Sequence, residues 1–309
     1  MAEATDAILA LCRALPPTRA AVVHPVKPNV IEAVDEAVRE KLIVPILIGP
    51  KAKIEEAATV ASVDISGWEL VDVEHSHAAA AKAAELAAGH QVNAIMKGSL
   101  HTDELLGAIV RSDAGLRTER RISHAYLMSI ASYPKPFIIT DAAVNILPDL
   151  PVKADIVQNA ADLWRVVFGD GNLPKVAVLA AVETVNPKMQ ATLDAAALCK
   201  MADRGQITGC LIDGPLAFDN AISAEAAREK GIVSMVAGEA DILVVPDIEA
   251  GNMLARQLTF LGGAEAAGIV LGARVPVILT SRADNERARL LSCALAVLLA
   301  EARDKGQIK

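Results

Sequence analysis

From Ala20 to the C-terminus the chain alternates short β-branched and aliphatic runs with longer stretches rich in Ala and Glu, and polar turns separate the two. The runs AAVVH, IVPILIG, ELVDV, VNAIMK, SHAYLM, PFIIT, KVAVLAAV, GCLID, DILVV and VPVILT predict strands. Most are apolar at successive positions rather than at every second one, the pattern of parallel strands with helices over both faces. The stretches NVIEAVDEAVREK, HAAAAKAAELAAG, TLDAAALCKMADRG and AISAEAAREKG predict helices between them, the last two ending at Gly205 and Gly231, where glycine supplies the left-handed residue that closes a helix. Strand and helix repeat without a low-complexity break, which predicts an α/β protein.

At 309 residues the chain exceeds one compact core, so two domains are expected. The apolar rhythm is interrupted by the charged stretch RSDAGLRTERR around Gly115 to Arg121, and again near Gly262 to Gly268. If both are boundaries, residues 118–266 form a second domain inserted into a first one built from residues 1–117 and 267–309.

Composition narrows the partners. The chain is 53% hydrophobic but only 3% aromatic, and 30 basic against 38 acidic residues give a net charge of -8. That balance offers no footprint for nucleic acid or anionic lipid, so a small polar or charged molecule is the better ligand class. The longest apolar run, CALAVLLA, is far short of a membrane span, and the acid-bearing start MAEATDAILALCRALPP reads as an amphipathic helix rather than a signal peptide. Cys12, Cys199, Cys210 and Cys293 are scattered, without metal or redox spacing, as expected of reduced cysteines in a cytoplasmic protein.

Polar clusters recur at strand exits, where parallel α/β proteins bind ligands. The strand VPVILT runs into Thr280, Ser281, Arg282 and Asp284. Arginine can hold phosphate with a bidentate fork, serine can donate to a carbonyl oxygen and aspartate can take a proton. The spacing of Ser281 and Asp284 also fits a capping box for the helix that follows, a purely structural use. KGSLHT places Lys97, Gly98, Ser99, His101 and Thr102 before the helix DELLGAIV, where they can cradle an anion, or where Thr102 simply caps the helix. IDGPLAFDNA places Asp213, Gly214 and Pro215 in a tight turn after a strand ending at Ile212, with Asp219 close behind; ITDAAVN offers Asp141 and PDIEAGN offers Asn252. His24 stands at the same rim, although a helix-entry histidine before Pro25 is the simpler reading. His75 and His77 lack the carboxylate and histidine spacing of a metal site. No phosphate-binding P-loop, dinucleotide glycine fingerprint or hydrolase nucleophile elbow is present.

Taken in order, KGSLHT, SHAYLM, ITDAAVNILPDLPVK, QNAADL, PKVAVLAAVETVNPKMQATLDAAAL, DGPLAFDNAIS, AGEADILVVPDIEAGN and VPVILTSRAD resemble the phosphate acetyl/butyryltransferase family, from about Ala20 to the end. In detail they are similar to phosphate butyryltransferases and to the acyltransferase module fused to hydratase-like domains. The resemblance implies two α/β/α domains with a cleft between them, as in isocitrate/isopropylmalate dehydrogenase-type enzymes, and a homodimer. It implies the reaction acyl-CoA plus phosphate to acyl phosphate plus coenzyme A, with no cofactor beyond the thioester substrate. Arg282 would hold phosphate and Ser281 would stabilise the carbonyl oxygen or leaving thiolate. Lys97, Gly98, Ser99, His101, Thr102, Asp141, Asp213, Gly214, Pro215, Asp219 and Asn252 would line the substrates.

Two departures stand out. The acetyl branch carries an arginine in the helix after the HT loop, where this chain has Gly107, and an aspartate base seven residues beyond the serine, where it has Ala288. Asp284 is the nearest substitute base. These losses motivate an alternative, a non-catalytic acyl-CoA or acyl-phosphate binding protein. A third reading, a metal-dependent 2-hydroxyacid dehydrogenase, would need Asp213, Asp219, Asp241 and Asp247 as ligands.

Overall fold

A computed structural model describes residues 2–171, 173–279 and 285–308. In chain order they form α1 (Ala2–Arg13), β1 (Thr18–Val23), α2 (Pro28–Arg39), β2 (Ile43–Gly49), α3 (Lys51–Ala61), β3 (Glu69–Asp72), α4 (Ser76–Ala88), β4 (Ala94–Lys97) and α5 (Thr102–Val110). There follow β5 (Ser123–Ser129), β6 (Phe137–Thr140), α6 (Leu150–Phe168), β7 (Lys175–Leu179), α7 (Gln190–Asp203), β8 (Leu211–Leu216), α8 (Phe218–Ile222) and α9 (Ala224–Glu229). The last elements are β9 (Ile242–Val244), α10 (Ile248–Phe260), β10 (Glu265–Leu271), β11 (Val277–Ile278) and α11 (Glu286–Asp304). No helix among the described residues is long and apolar enough to cross a membrane.

Two compact units divide the chain, one of residues 2–120 with 267–309 and one of residues 121–266. In the terminal unit the strand order is β3-β2-β1-β4-β11-β10, parallel except for the antiparallel pair β10 and β11. Ala20 to Val23, Leu47, Ile48, Ile95 and Met96 are fully buried, as continuous apolar runs require when helices cover both faces. Helix α11 is apolar from Leu290 to Ala300 apart from Ser292 and is buried accordingly.

In the inserted unit the order is β5-β6-β9-β7-β8, parallel except for β5 against β6. Its core gathers Met128, Ile139, Leu216, Leu243 and Val245. Each such side chain contributes roughly 1.5–3 kcal/mol on burial.

Three features differ from the parallel pattern expected of the sequence. The connections between β5 and β6 and between β10 and β11 are too short for a crossover helix, so both pairs are antiparallel hairpins. Strand β10 occupies a stretch whose glycines suggested a boundary; the Gly268 N–H donates to Ser292 Oγ of α11 at 3.1 Å. Strand β8 continues through Asp213, Gly214 and Pro215, which the sequence placed in a turn beyond it. One extra residue is absorbed between the pairs Ala177 with Asp213 and Leu179 with Leu216, a β-bulge. Only glycine fits there, because a Cβ on Gly214 would lie 2.8 Å from the Val178 carbonyl oxygen.

Candidate functional site

Parallel pairing of β1, β4 and β11 brings three strand exits side by side in the terminal unit: Val23 is opposite Lys97, and Ile278 opposite Met96. Lys97 ends β4, and Gly98 passes so near β1 that a Cβ would lie 2.2 Å from the Val23 carbonyl oxygen. Ser99 N–H donates to the His24 carbonyl at 2.9 Å, and His24 Nδ1 lies 3.1 Å from the Ser99 carbonyl. His24 therefore clasps the loop reciprocally. Ser99 Oγ is buried without a hydrogen-bond partner among the described residues. Helix α5 then starts after His101, not after Thr102, and neither side chain caps it. Its first amides are left for another acceptor, and Thr102 is the first helical residue rather than the cap the sequence allowed.

Thr280, Ser281, Arg282 and Asp284 lie outside the described residues. Their surroundings are nevertheless informative. The cap of α11 is Asn285, whose side chain accepts from Ala288 N–H at 2.8 Å. The capping-box alternative for Ser281 and Asp284 falls, like those two residues, outside the described part of the chain.

In the inserted unit Asp141 follows β6 and is buried. Its carboxylate accepts from Ala143 N at 2.9 Å, Val144 N at 3.0 Å, Asn145 N at 3.2 Å and Asn145 Nδ2 at 2.6 Å. Both oxygens are thus engaged by their own loop. Asn145, which the motif ITDAAVN also offered, donates to the Ile122 carbonyl at 2.9 Å. Asn252 Nδ2 donates to the Ala142 carbonyl at 3.2 Å, joining α10 to the same loop, and Arg256 Nε donates to its Oδ1 at 2.9 Å. A Cβ on Gly251 would lie 2.7 Å from the Asp141 carbonyl oxygen.

A second cluster surrounds β8 and α8. Asp213 accepts from Gly214 N–H at 2.8 Å, and Asp219 is exposed in the first turn of α8. Asn220, next to Asp219 in the same motif, is fully buried, and Lys230 Nζ reaches Glu183 Oε2 at 3.0 Å beside it. Asp241 and Asp247 are occupied elsewhere: Asp241 accepts from Lys135 and Lys175, and Asp247 caps α10 through Ala250 N–H. Among the described residues no three His, Cys, Asp or Glu stand together as a metal site. His75 caps α4 and His77 Nδ1 lies 3.1 Å from Glu104 Oε1.

His124 on β5 is buried against Tyr126, with ring centroids 4.3 Å apart. Burial pushes its pKa down to about 4 from the ordinary 6.5, against the opposing pull of Asp141. The folded chain therefore resists a proton that the unfolded chain accepts below pH 6.5. Stability from this site is complete above pH 6.5 and is lost as pH falls towards 4, by about 3 kcal/mol at 1.4 per unit. Urea unfolding between pH 7 and 4 should show that slope, and His124→Leu should remove it.

Burial pushes the thiols of Cys12, Cys199, Cys210 and Cys293 up to about 12. Thiolate, not thiol, is the nucleophile, so none is activated for covalent acyl transfer near neutral pH. Iodoacetamide at pH 7.5 should leave any turnover unchanged; stoichiometric inactivation by labelling one cysteine would show the reverse.

The comparisons with known proteins agree on one family. Residues 74–297 match the family described as phosphate acetyl/butaryl transferase. A Rickettsia felis protein named phosphate acetyltransferase is 61% identical over 280 residues, covering 91% of this chain and 80% of its own. A Clostridium beijerinckii protein named phosphate butyryltransferase is 39% identical over 305 residues, covering 99% and 100%. The crystal structure of a branched-chain phosphotransacylase from Enterococcus faecalis V583 superposes with a TM-score of 0.79 at 29% identity, covering 92% of this chain and 99% of that one. With identity and fold agreeing over nearly its whole length, the chain belongs to the phosphate acetyl/butyryltransferase family.

Proposed function

We propose that the protein is a phosphate acyltransferase that moves a short acyl group between coenzyme A and inorganic phosphate, acyl-CoA plus phosphate giving acyl phosphate plus coenzyme A. The observation that carries this reading is the family match across both units, with transferases named on the acetyl and the butyryl side. It favours turnover over mere binding. The higher identity to the protein named for acetyl transfer makes acetyl the first acyl group to expect.

Phosphate must attack a thioester carbonyl, so two anionic substrates meet and an oxyanion develops. In this reading Arg282 holds phosphate, Ser281 donates to the carbonyl oxygen or departing sulfur, and Asp284 takes part in proton handling. Support comes from the neighbouring exits: Lys97, Gly98 and Ser99 lead to the uncapped start of α5, where His101 and Thr102 stand, and backbone N–H groups there suit an anion. Asp213, Gly214, Pro215, Asp219 and Asn252 are proposed to contact substrate, with Asp141 shaping their neighbourhood. Transfer is direct, within one ternary complex. A pair of α/β/α domains of the isocitrate/isopropylmalate dehydrogenase type, a homodimer and a cytoplasmic location complete the proposal.

The test is thiol release from acetyl-CoA and butyryl-CoA, with and without phosphate, by wild type and Arg282→Ala. Release that requires phosphate and falls by a factor on the order of 10² or more in the variant supports the reading. Coenzyme A binding without release refutes it.

A further inference from the structure

His24 has three properties that a helix-entry histidine does not need. Its backbone is left-handed, with φ 55°, a conformation that favours glycine or asparagine. Its N–H donates to the Ile48 carbonyl at 2.7 Å, and its carbonyl accepts from Ser99 and Val26 N–H, so the conformation is held by one local hydrogen bond and two from separate segments. Its ring is held as well. The Nδ1 contact with the Ser99 carbonyl at 3.1 Å can be a hydrogen bond only if Nδ1 carries the proton, because a carbonyl only accepts. On the opposite side Cδ2 packs over Gly49, 3.6 Å from where a Cβ would stand. With Nδ1 turned to that carbonyl, Nε2 is the nitrogen left at the far edge of a half-buried ring, and it makes no hydrogen bond to any described residue. Ser99 Oγ, buried and without a partner among the described residues, lies on the loop that the ring clasps.

We propose that His24 is a catalytic residue of the acyl transfer, its Nε2 carrying the proton between phosphate and the coenzyme A sulfur. The inference rests on the acyltransferase reading above and deepens it. In the direction of acyl phosphate, a phosphate oxygen bonds to the thioester carbonyl carbon while its O–H proton passes to Nε2. The C–S bond then breaks, and the imidazolium returns that proton to sulfur. Phosphate and thioester become acyl phosphate and thiol with no other reactant. In reverse the same nitrogen takes the thiol proton, from a group whose ordinary pKa is about 8.5 and which is otherwise mostly protonated at neutral pH. The strand order supports the placement, since β1 ends beside β4, and β4 beside β11, the strand that leads into Ser281 and Arg282. The transfer for which the sequence offered only Asp284 thus has a candidate whose orientation is fixed.

The experiment compares phosphate-dependent thiol release by wild type, His24→Asn and His24→Gly, the last with and without imidazole. Asparagine tolerates the left-handed backbone and offers Nδ2 to the Ser99 carbonyl, so the clasp survives while Nε2 is lost. Loss of a proton-transfer group lowers kcat by a factor on the order of 10²–10⁴, with KM for both substrates little changed and unfolding unaltered. Imidazole should restore turnover of the glycine variant in proportion to its concentration, which a merely structural histidine would not permit. The proposal is overturned if His24→Asn keeps the wild-type kcat, or if both variants lose turnover and imidazole restores none. A wild type that releases no thiol instead refutes the acyltransferase reading itself.

Discussion

Asp141→Ala should lower the free energy of unfolding by about 4 kcal/mol, since hydrogen bonds to a charged group are each worth roughly 1.5–3 and do not add fully. The four donors on this carboxylate are the amides of Ala143, Val144 and Asn145 and the Asn145 side chain, all within its own loop. Removal leaves them facing a buried void at a residue only 3% exposed. Asp141→Asn has the same shape, yet one oxygen becomes a donor; if it is the one facing Asn145, two donors meet a third. A loss of about 2–3 kcal/mol is expected for it, between wild type and alanine. The loop holds α10 through Ala142 and Asn252, so the damage spreads beyond the turn. Urea midpoints decide the matter: an unchanged midpoint with lost turnover would return Asp141 to the substrate.

The strands of this fold were legible because burial on both faces writes uninterrupted apolar runs, and IVPILIG matches β2 residue for residue. Direction was not written there. An apolar run is the same in a parallel or an antiparallel pair, and only the few residues between β5 and β6 betray the hairpin. Strand β10 was obscured by Gly268, which reads as a turn until the Ser292 hydroxyl packed against it is known. Family and reaction were readable from KGSLHT, DGPLAFDNAIS and VPVILTSRAD, because strand-exit chemistry is carried by short contiguous motifs. The orientation of His24 was not, since its partner is the carbonyl of Ser99, 75 positions away. Asp141 shows the converse: its partners lie two to four residues ahead, a local aspartate turn that the motif ITDAAVN already spelled out.

Lys153→Met should cost about 3–5 kcal/mol, the range for breaking a buried ion pair from one side. Lys153 on α6 and Asp194 on α7 are 4% and 5% exposed, with Nζ 2.7 Å from Oδ2. Removing the ammonium leaves a buried carboxylate whose remaining partner is Gln190 Nε2, 2.8 Å from Oδ1. One neutral amide does not replace a cation for a charge kept from water. The pair in combination behaves differently. Lys153→Met with Asp194→Leu removes both desolvation penalties and replaces them with apolar packing, so the double variant should be more stable than either single one. That non-additivity is the test, and a double variant at the sum of the two losses would show that the pair's charge is not what holds α6 to α7. The same helix backs a proposed substrate contact. Ala195, next to Asp194, would lie 3.2 Å from a Cβ on Gly214, so α7 packs behind the bulge of β8 that follows Asp213. Each single variant should therefore also raise KM for acyl-CoA under conditions where it remains folded, and the double variant should restore it.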